Sequence, residues 1–129
     1  MHTYHFTHPV SYGFDEAIAR VTEALGKEGF GVLTEIDVGA TLKKKLGVEF
    51  RPYRILGACN PQFAHQALQA EDKIGTMLPC NVVVQQRADG VVEVSAIDPV
   101  ASMMAIENPA LGGIASQVRA KLKRVIDSL

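Results

Sequence analysis

Three times in this chain an Asn or Asp is followed directly by proline: Asn60-Pro61, Asp98-Pro99 and Asn108-Pro109. Asn and Asp side chains accept hydrogen bonds from the first backbone N–H groups of a helix, and proline is tolerated at the first helical position, where its missing N–H would have had no partner. The residue before proline is also pushed out of the helical region. Each dipeptide therefore predicts the end of an extended or irregular segment and the start of a helix.

Hydrophobic periodicity fills the segments between these boundaries. Residues 3–10 alternate and predict a strand with Tyr4 and Phe6 on its inner face. Phe14, Ala17, Ile18, Val21 and Leu25 recur at helical spacing, with Asp15 and Glu16 in the first turn, and Gly26 and Gly29 end that helix. Phe30 to Val38 predicts a second strand, with Phe30, Val32, Thr34, Ile36 and Val38 on one face and Gly31, Leu33, Glu35 and Asp37 on the other. A short basic helix, Ala40 to Leu46, stops at Gly47 and holds Lys43, Lys44 and Lys45 in solvent. Tyr53 to Cys59 is a third strand, and Phe63, Ala64, Ala67 and Leu68 form the buried stripe of the helix after Asn60-Pro61. A loop, 72–79, leads to a strand from Asn81 to Arg87. Asp89-Gly90 then predicts a two-residue hairpin back through Val91 to Ile97. A short helix follows Asp98-Pro99, and the last helix, about 110–128, carries Leu111, Ile114, Ala115, Val118, Leu122, Val125 and Ile126. Gly112 and Gly113 near its start read as aids to close packing, with an anion at the helix end as the other reading.

The resulting order, β-α-β-α-β-α-β-β-α-α, predicts an α+β fold: a single domain, 1–129, with a mixed or mostly antiparallel sheet backed by helices. Its 13 basic and 14 acidic residues give a net charge of −1, so no phosphate-tracking surface and no nucleic-acid partner are expected. No apolar run approaches the length of a membrane span, and the first residues lack the charged-then-apolar pattern of a signal peptide. A cytoplasmic location, with no membrane partner, is the expectation. Two cysteines in such a setting are expected as free thiols.

Those cysteines are the leading functional candidates. Each is followed by asparagine, Cys59-Asn60 and Cys80-Asn81, where a strand meets a loop or helix. A thiol near a helix start gains thiolate character, and two thiols together suit redox work, sulfur transfer or a soft metal such as Zn or Cu. Free cysteine also packs simply as a small hydrophobe. Geometry decides. Antiparallel pairing of the third and fourth strands brings the thiols together, whereas a parallel crossover leaves them about 20 Å apart, a strand length. Asn60 reads as a helix cap and Asn81 as the closure of a turn, with ligand contact as the alternative for both. His65, one turn into its helix, falls on the polar side but is a candidate metal ligand with Cys59 and Cys80. His2 and His8 share a strand face that His5 opposes, so the three do not make one metal face. Glu35 and Asp37 are a candidate carboxylate pair, or a salt-bridged surface with Arg51 and Arg54. Met77, Met103 and Met104 read as core filler or as thioether ligands for copper(I).

The segments Gly29-Phe30-Gly31-Val32-Leu33-Thr34-Glu35-Ile36-Asp37, Arg51-Pro52-Tyr53-Arg54-Ile55-Leu56-Gly57-Ala58-Cys59-Asn60-Pro61 and Leu78-Pro79-Cys80-Asn81-Val82 resemble the bacterial and archaeal family known as domain of unknown function 302. The resemblance runs over about residues 5–100, and the helix after residue 105 is less well covered. It implies a small α+β domain with an antiparallel-type sheet similar to the topology of the TATA-binding protein, often a homodimer, and no established activity. It also implies a branch that keeps both cysteines beside one that lacks them, so that the fold does not need the thiols. The expectation is a small-ligand or metal-binding module, because a cleft can persist while its lining varies, with its site at Cys59, Asn60, Cys80 and Asn81. The alternative is a thiol redox or sulfur-transfer protein using Cys59 and Cys80.

Overall fold

The structure, a computed structural model, describes residues 3–129, so the strand-face reading of His2 lies outside the described residues. Strands β1 (His5–Val10), β2 (Gly31–Asp37), β3 (Tyr53–Cys59), β4 (Cys80–Gln86) and β5 (Val92–Ile97) form one sheet in the order β1-β5-β4-β3-β2. Every neighbouring pair is antiparallel. The helices are α1 (Phe14–Lys27), α2 (Val38–Leu46), α3 (Pro61–Ala70), α4 (Pro99–Ser102) and α5 (Pro109–Asp127). The fold is α+β, and the strand and helix order is the one read from the sequence.

Register assigns the core face. Phe6, Ala96, Val82 and Leu56 lie in one row across the sheet, and Ala58 and Cys80 form the next. Against this face pack Ala17, Val21 and Leu25 of α1 and Val118, Leu122, Val125 and Ile126 of α5, all buried. The broad stripe of α5 is therefore used on its own sheet. A smaller cluster joins Ala67 of α3, Leu111 of α5 and Ile74. Ile74 belongs to a 3-10 helix, Asp72–Met77, that occupies the segment expected to be plain loop. Among the described residues no helix is long and apolar enough to cross a membrane.

Two of the three cap readings hold. Asp98 accepts from the Val100 N–H at 3.0 Å, and Asn108 accepts from the Ala110 N–H at 3.1 Å. Asn60 stands at the N-cap but makes no side-chain cap bond; its Nδ2 donates to the Glu28 carbonyl at 3.4 Å instead. That contact runs past Gly29, whose φ of 85° sits in the left-handed region, and a Cβ there would come within 3.1 Å of Asn60 Nδ2. Long-range packing against the α1–β2 turn has taken the side chain that local chemistry assigned to the helix.

Other readings are corrected. A β-bulge between Val32 and Thr34 shifts the register of β2. Val32 therefore pairs with the core residue Ala58, whereas Thr34 and Ile36 pair with Gly57 and Ile55 on the opposite face. An unbroken alternation cannot anticipate an inserted residue. Val38 opens α2 rather than ending the strand. Tyr4 lies before β1 and is exposed, its ring edge-on to His5. Leu68 is also exposed. Asn81 lies inside β4, opposite Gly57, rather than closing a turn. The hairpin is wider than two residues: the Gly90 N–H donates to the Arg87 carbonyl and the Arg87 N–H to the Val91 carbonyl, with the Asp89 carboxylate holding the Val91 N–H. Gly112 and Gly113 face open space, with nothing within 4 Å of a built Cβ, so they ease no close packing.

Candidate functional site

Antiparallel pairing of β3 with β4 sets Ala58 opposite Cys80, and Cys59 is the next residue along. Of the two arrangements left open by the sequence, this is the one that joins the cysteines at one end of the sheet. Both are free thiols and both are half-buried. They line one cavity of about 30 Å³ at the sheet end, together with Phe63 of α3, Leu78, Met103 after α4 and Val118 of α5. The chain builds this wall from three sources. Asn60-Pro61 turns β3 directly into α3, Asp98-Pro99 turns β5 into α4, and Ile74 anchors the segment that delivers Leu78.

Cys80 also borders a second, wider cleft of about 210 Å³, shared with Thr76, Met77, Pro79, Asn81 and Ser102. It therefore stands between a small, mostly apolar cavity and a wider, more polar cleft. Burial pushes the Cys80 thiol up from its ordinary value of 9.0 to about 11, and the neighbouring Cys59 adds to the rise. Cys80 is thus a neutral thiol near pH 7, and its environment senses Cys59.

This shift has a consequence for stability. A thiol whose pKa is higher in the folded than in the unfolded state contributes stability that is fully present below pH 9 and is lost as pH rises towards 11. About two pKa units correspond to roughly 2–3 kcal/mol. Urea denaturation of the reduced protein between pH 8 and 11 should show this alkaline loss, and Cys80→Ala should flatten it. An equal loss in both proteins would assign it to other groups.

The remaining candidates divide by place. Asn60 lines the thiol cavity, and Asn81 borders the outer cleft. His65 is on the exposed side of α3 and is not among the lining residues. Glu35 and Asp37 sit beside Arg54, five residues along β3 from Cys59 and so roughly 17 Å away in a strand. Arg54 is hydrogen-bonded to Glu35 and lies 3.6 Å from Asp37, while Asp37 accepts from the Ala40 N–H at 2.9 Å and caps α2. This is the salt-bridged alternative read from the sequence. Among the described residues, no group of three or more His, Cys, Asp and Glu side chains is placed to hold a metal ion.

One structural residue of the site escaped the sequence reading. Gly57 lies between β2 and β4, and a Cβ on it would meet Thr34 Oγ1 at 2.2 Å and Pro79 Cγ at 2.8 Å. A glycine inside a strand is a known sign of such close approach, so the signal was present.

The model of a family described as domain of unknown function DUF302 matches residues 6–129, a span that includes α5. A crystal structure of an uncharacterized conserved DUF302 protein from Bacillus stearothermophilus is 36% identical, with a TM-score of 0.90 and 98% of each chain covered. No curated protein matches the chain.

Proposed function

The chain belongs to the DUF302 family, and from that premise we propose that it is a binding module whose site is the end of the sheet where Cys59 and Cys80 meet. One observation carries the proposal: Cys59 and Cys80 are both among the residues lining the same small cavity. Its volume of about 30 Å³ decides what class of ligand suits it. Organic ligands occupy pockets of roughly 300–1,000 Å³, whereas this space is near that of a single water molecule. An ion-sized ligand held by sulfur is what fits.

Titration of the reduced protein with Zn(II) and, separately, with Cu(I), each against a competing chromophoric chelator, tests the proposal. Uptake of one equivalent of either ion, lost in both Cys59→Ala and Cys80→Ala, is the expected result. Each replacement should leave the protein folded, at a stability cost of roughly 1–3 kcal/mol for the small cavity it creates. Uptake of neither ion, or uptake unaffected by either replacement, would overturn it.

A further inference from the structure

We propose that the face of the sheet turned away from α1 and α5 carries a second binding site, a trough that takes an uncharged, polyhydroxylated ligand of the sugar class. It stands independently of the thiol cavity.

Register places the trough. Val82 and Val84 of β4 are buried against the helices, so Asn81, Val83 and Gln85 point to the other face. There Val83 is paired with Ser95, and Gln85 lies between Glu93 and Tyr53. Thr7 of β1 is paired with Ser95 in turn. The short side chains of Val83 and Ser95 occupy the centre. Longer ones flank them, Tyr53 and Gln85 towards β3, Tyr4 and His5 towards β1. The result is a concavity of about 480 Å³. Small organic ligands occupy pockets of roughly 300–1,000 Å³, so this space is of their size and the thiol cavity is not.

Charge narrows the ligand class. Among the described residues, none of the five strands contains lysine, and neither Lys nor Arg lines the trough. The one carboxylate in the lining, Glu93, is paired with Arg87 at 3.2 Å. A phosphate or carboxylate ligand would meet no counter-charge in this lining, and a cation would find Glu93 already paired. An uncharged ligand is what remains.

The polar groups select its chemistry. Asparagine is unfavourable inside a strand, yet Asn81 sits within β4 with its side chain exposed at the trough. Other groups are held in place beforehand. Gln85 Oε1 accepts from Arg51 Nε at 2.9 Å, and Gln85 Nε2 donates to Glu93 at 3.2 Å. Thr7 Oγ1 is hydrogen-bonded to His5 Nδ1 at 2.7 Å and to Ser95 Oγ at 2.8 Å. Amides and hydroxyls both donate and accept, and so does each hydroxyl of a sugar. The C–H face of a sugar ring packs on an aromatic face, and Tyr4 and Tyr53 supply one on each side. Side chains fixed before binding lose less freedom when the ligand arrives.

Backbone amide NMR of the isotope-labelled protein, titrated with maltose and separately with cellobiose at millimolar concentration, tests the proposal. Shifts confined to β1, β5, β4 and the start of β3 are the expected result for at least one sugar. Asn81→Ala and Gln85→Ala should each weaken that binding by roughly 2–10-fold, the contribution of one hydrogen bond. Tyr53→Leu should weaken it at least as much, and a glucose phosphate should bind less well than the neutral sugar. The amide spectrum of each variant shows directly whether it is folded. Absence of shifts with both sugars would overturn the proposal, as would shifts that Asn81→Ala and Gln85→Ala leave unchanged. Tighter binding of the glucose phosphate would also overturn it. So would shifts in the same strands on raising protein concentration alone, because a second copy of the chain would then occupy this face. None of these outcomes touches the metal titration of the thiol site, so the two readings fail separately.

Discussion

Gly57→Ala is expected to destabilise the protein by roughly 3–5 kcal/mol, at the severe end of overpacking substitutions. Gly57 is buried in the middle of the sheet and is paired on both sides, with Thr34 in β2 and Asn81 in β4. A single methyl there would stand 2.2 Å from Thr34 Oγ1 and 2.8 Å from Pro79 Cγ. Thr34 can relieve its contact only by changing its χ1 rotamer, and the rigid proline ring cannot swing aside. The strands must separate instead, which strains ladder hydrogen bonds. Urea denaturation reads the loss directly. Adding Thr34→Ala to Gly57→Ala should restore part of it, because the nearer clash is removed and the proline contact remains. A cost below about 1 kcal/mol for Gly57→Ala would mean that the close approach is not real. The effect should extend to the site, since β3 and β4 carry Cys59 and Cys80 at their adjoining ends.

Ile74→Ala should cost roughly 2–5 kcal/mol, the range for removing a large aliphatic side chain from a packed core. Ile74 is fully buried against Ala67 and Leu111, with Leu78, Met103 and Ile106 around them. At the ends of its 3-10 helix the Ile74 N–H donates to the Glu71 carbonyl at 3.1 Å and the Leu78 N–H to the Gly75 carbonyl at 3.2 Å. Ile74 is the fully buried side chain of this segment, and it ties the segment to α3 and α5. Two of its neighbours, Leu78 and Met103, also wall the thiol cavity. The substitution should therefore speed the reaction of Cys80 with a thiol reagent as well as lower the denaturation midpoint, and Ile74→Val should do both weakly. Destabilisation with no change in thiol reactivity would show that the anchor and the cavity are independent.

The elements of the fold were legible because their signals are local. Asp98-Pro99 and Asn108-Pro109 form caps as read, and the stripe of α5 from Leu111 to Ile126 is buried as its spacing required. Glu35, Asp37 and Arg54 meet as the salt-bridged reading expected. Readings failed where a distant residue competed with a local one. Asn60 leaves its own helix for the Glu28 carbonyl, 32 residues earlier. The bulge in β2 answers to its pairing with β3, which no alternation within β2 records.

The same division holds for the candidate site. Sequence alone determined that the chain would form an α+β sheet backed by helices, that it carries two cysteines, and that each lies where a strand begins or ends. Periodicity and capping decide such matters over a few residues. Whether Cys59 and Cys80 meet was decided only by the direction in which α3 and the 3-10 helix return the chain to the sheet. Residues 60–79 had length enough for either direction, and burial of Ile74 and Leu111 against α3 belongs to the tertiary packing. The cavity, with Met103 in its lining, exists only once α4 and α5 close over the end of β3 and β4. Burial of the Cys80 thiol has the same origin, because desolvation is a property of what surrounds a group rather than of its neighbours in sequence.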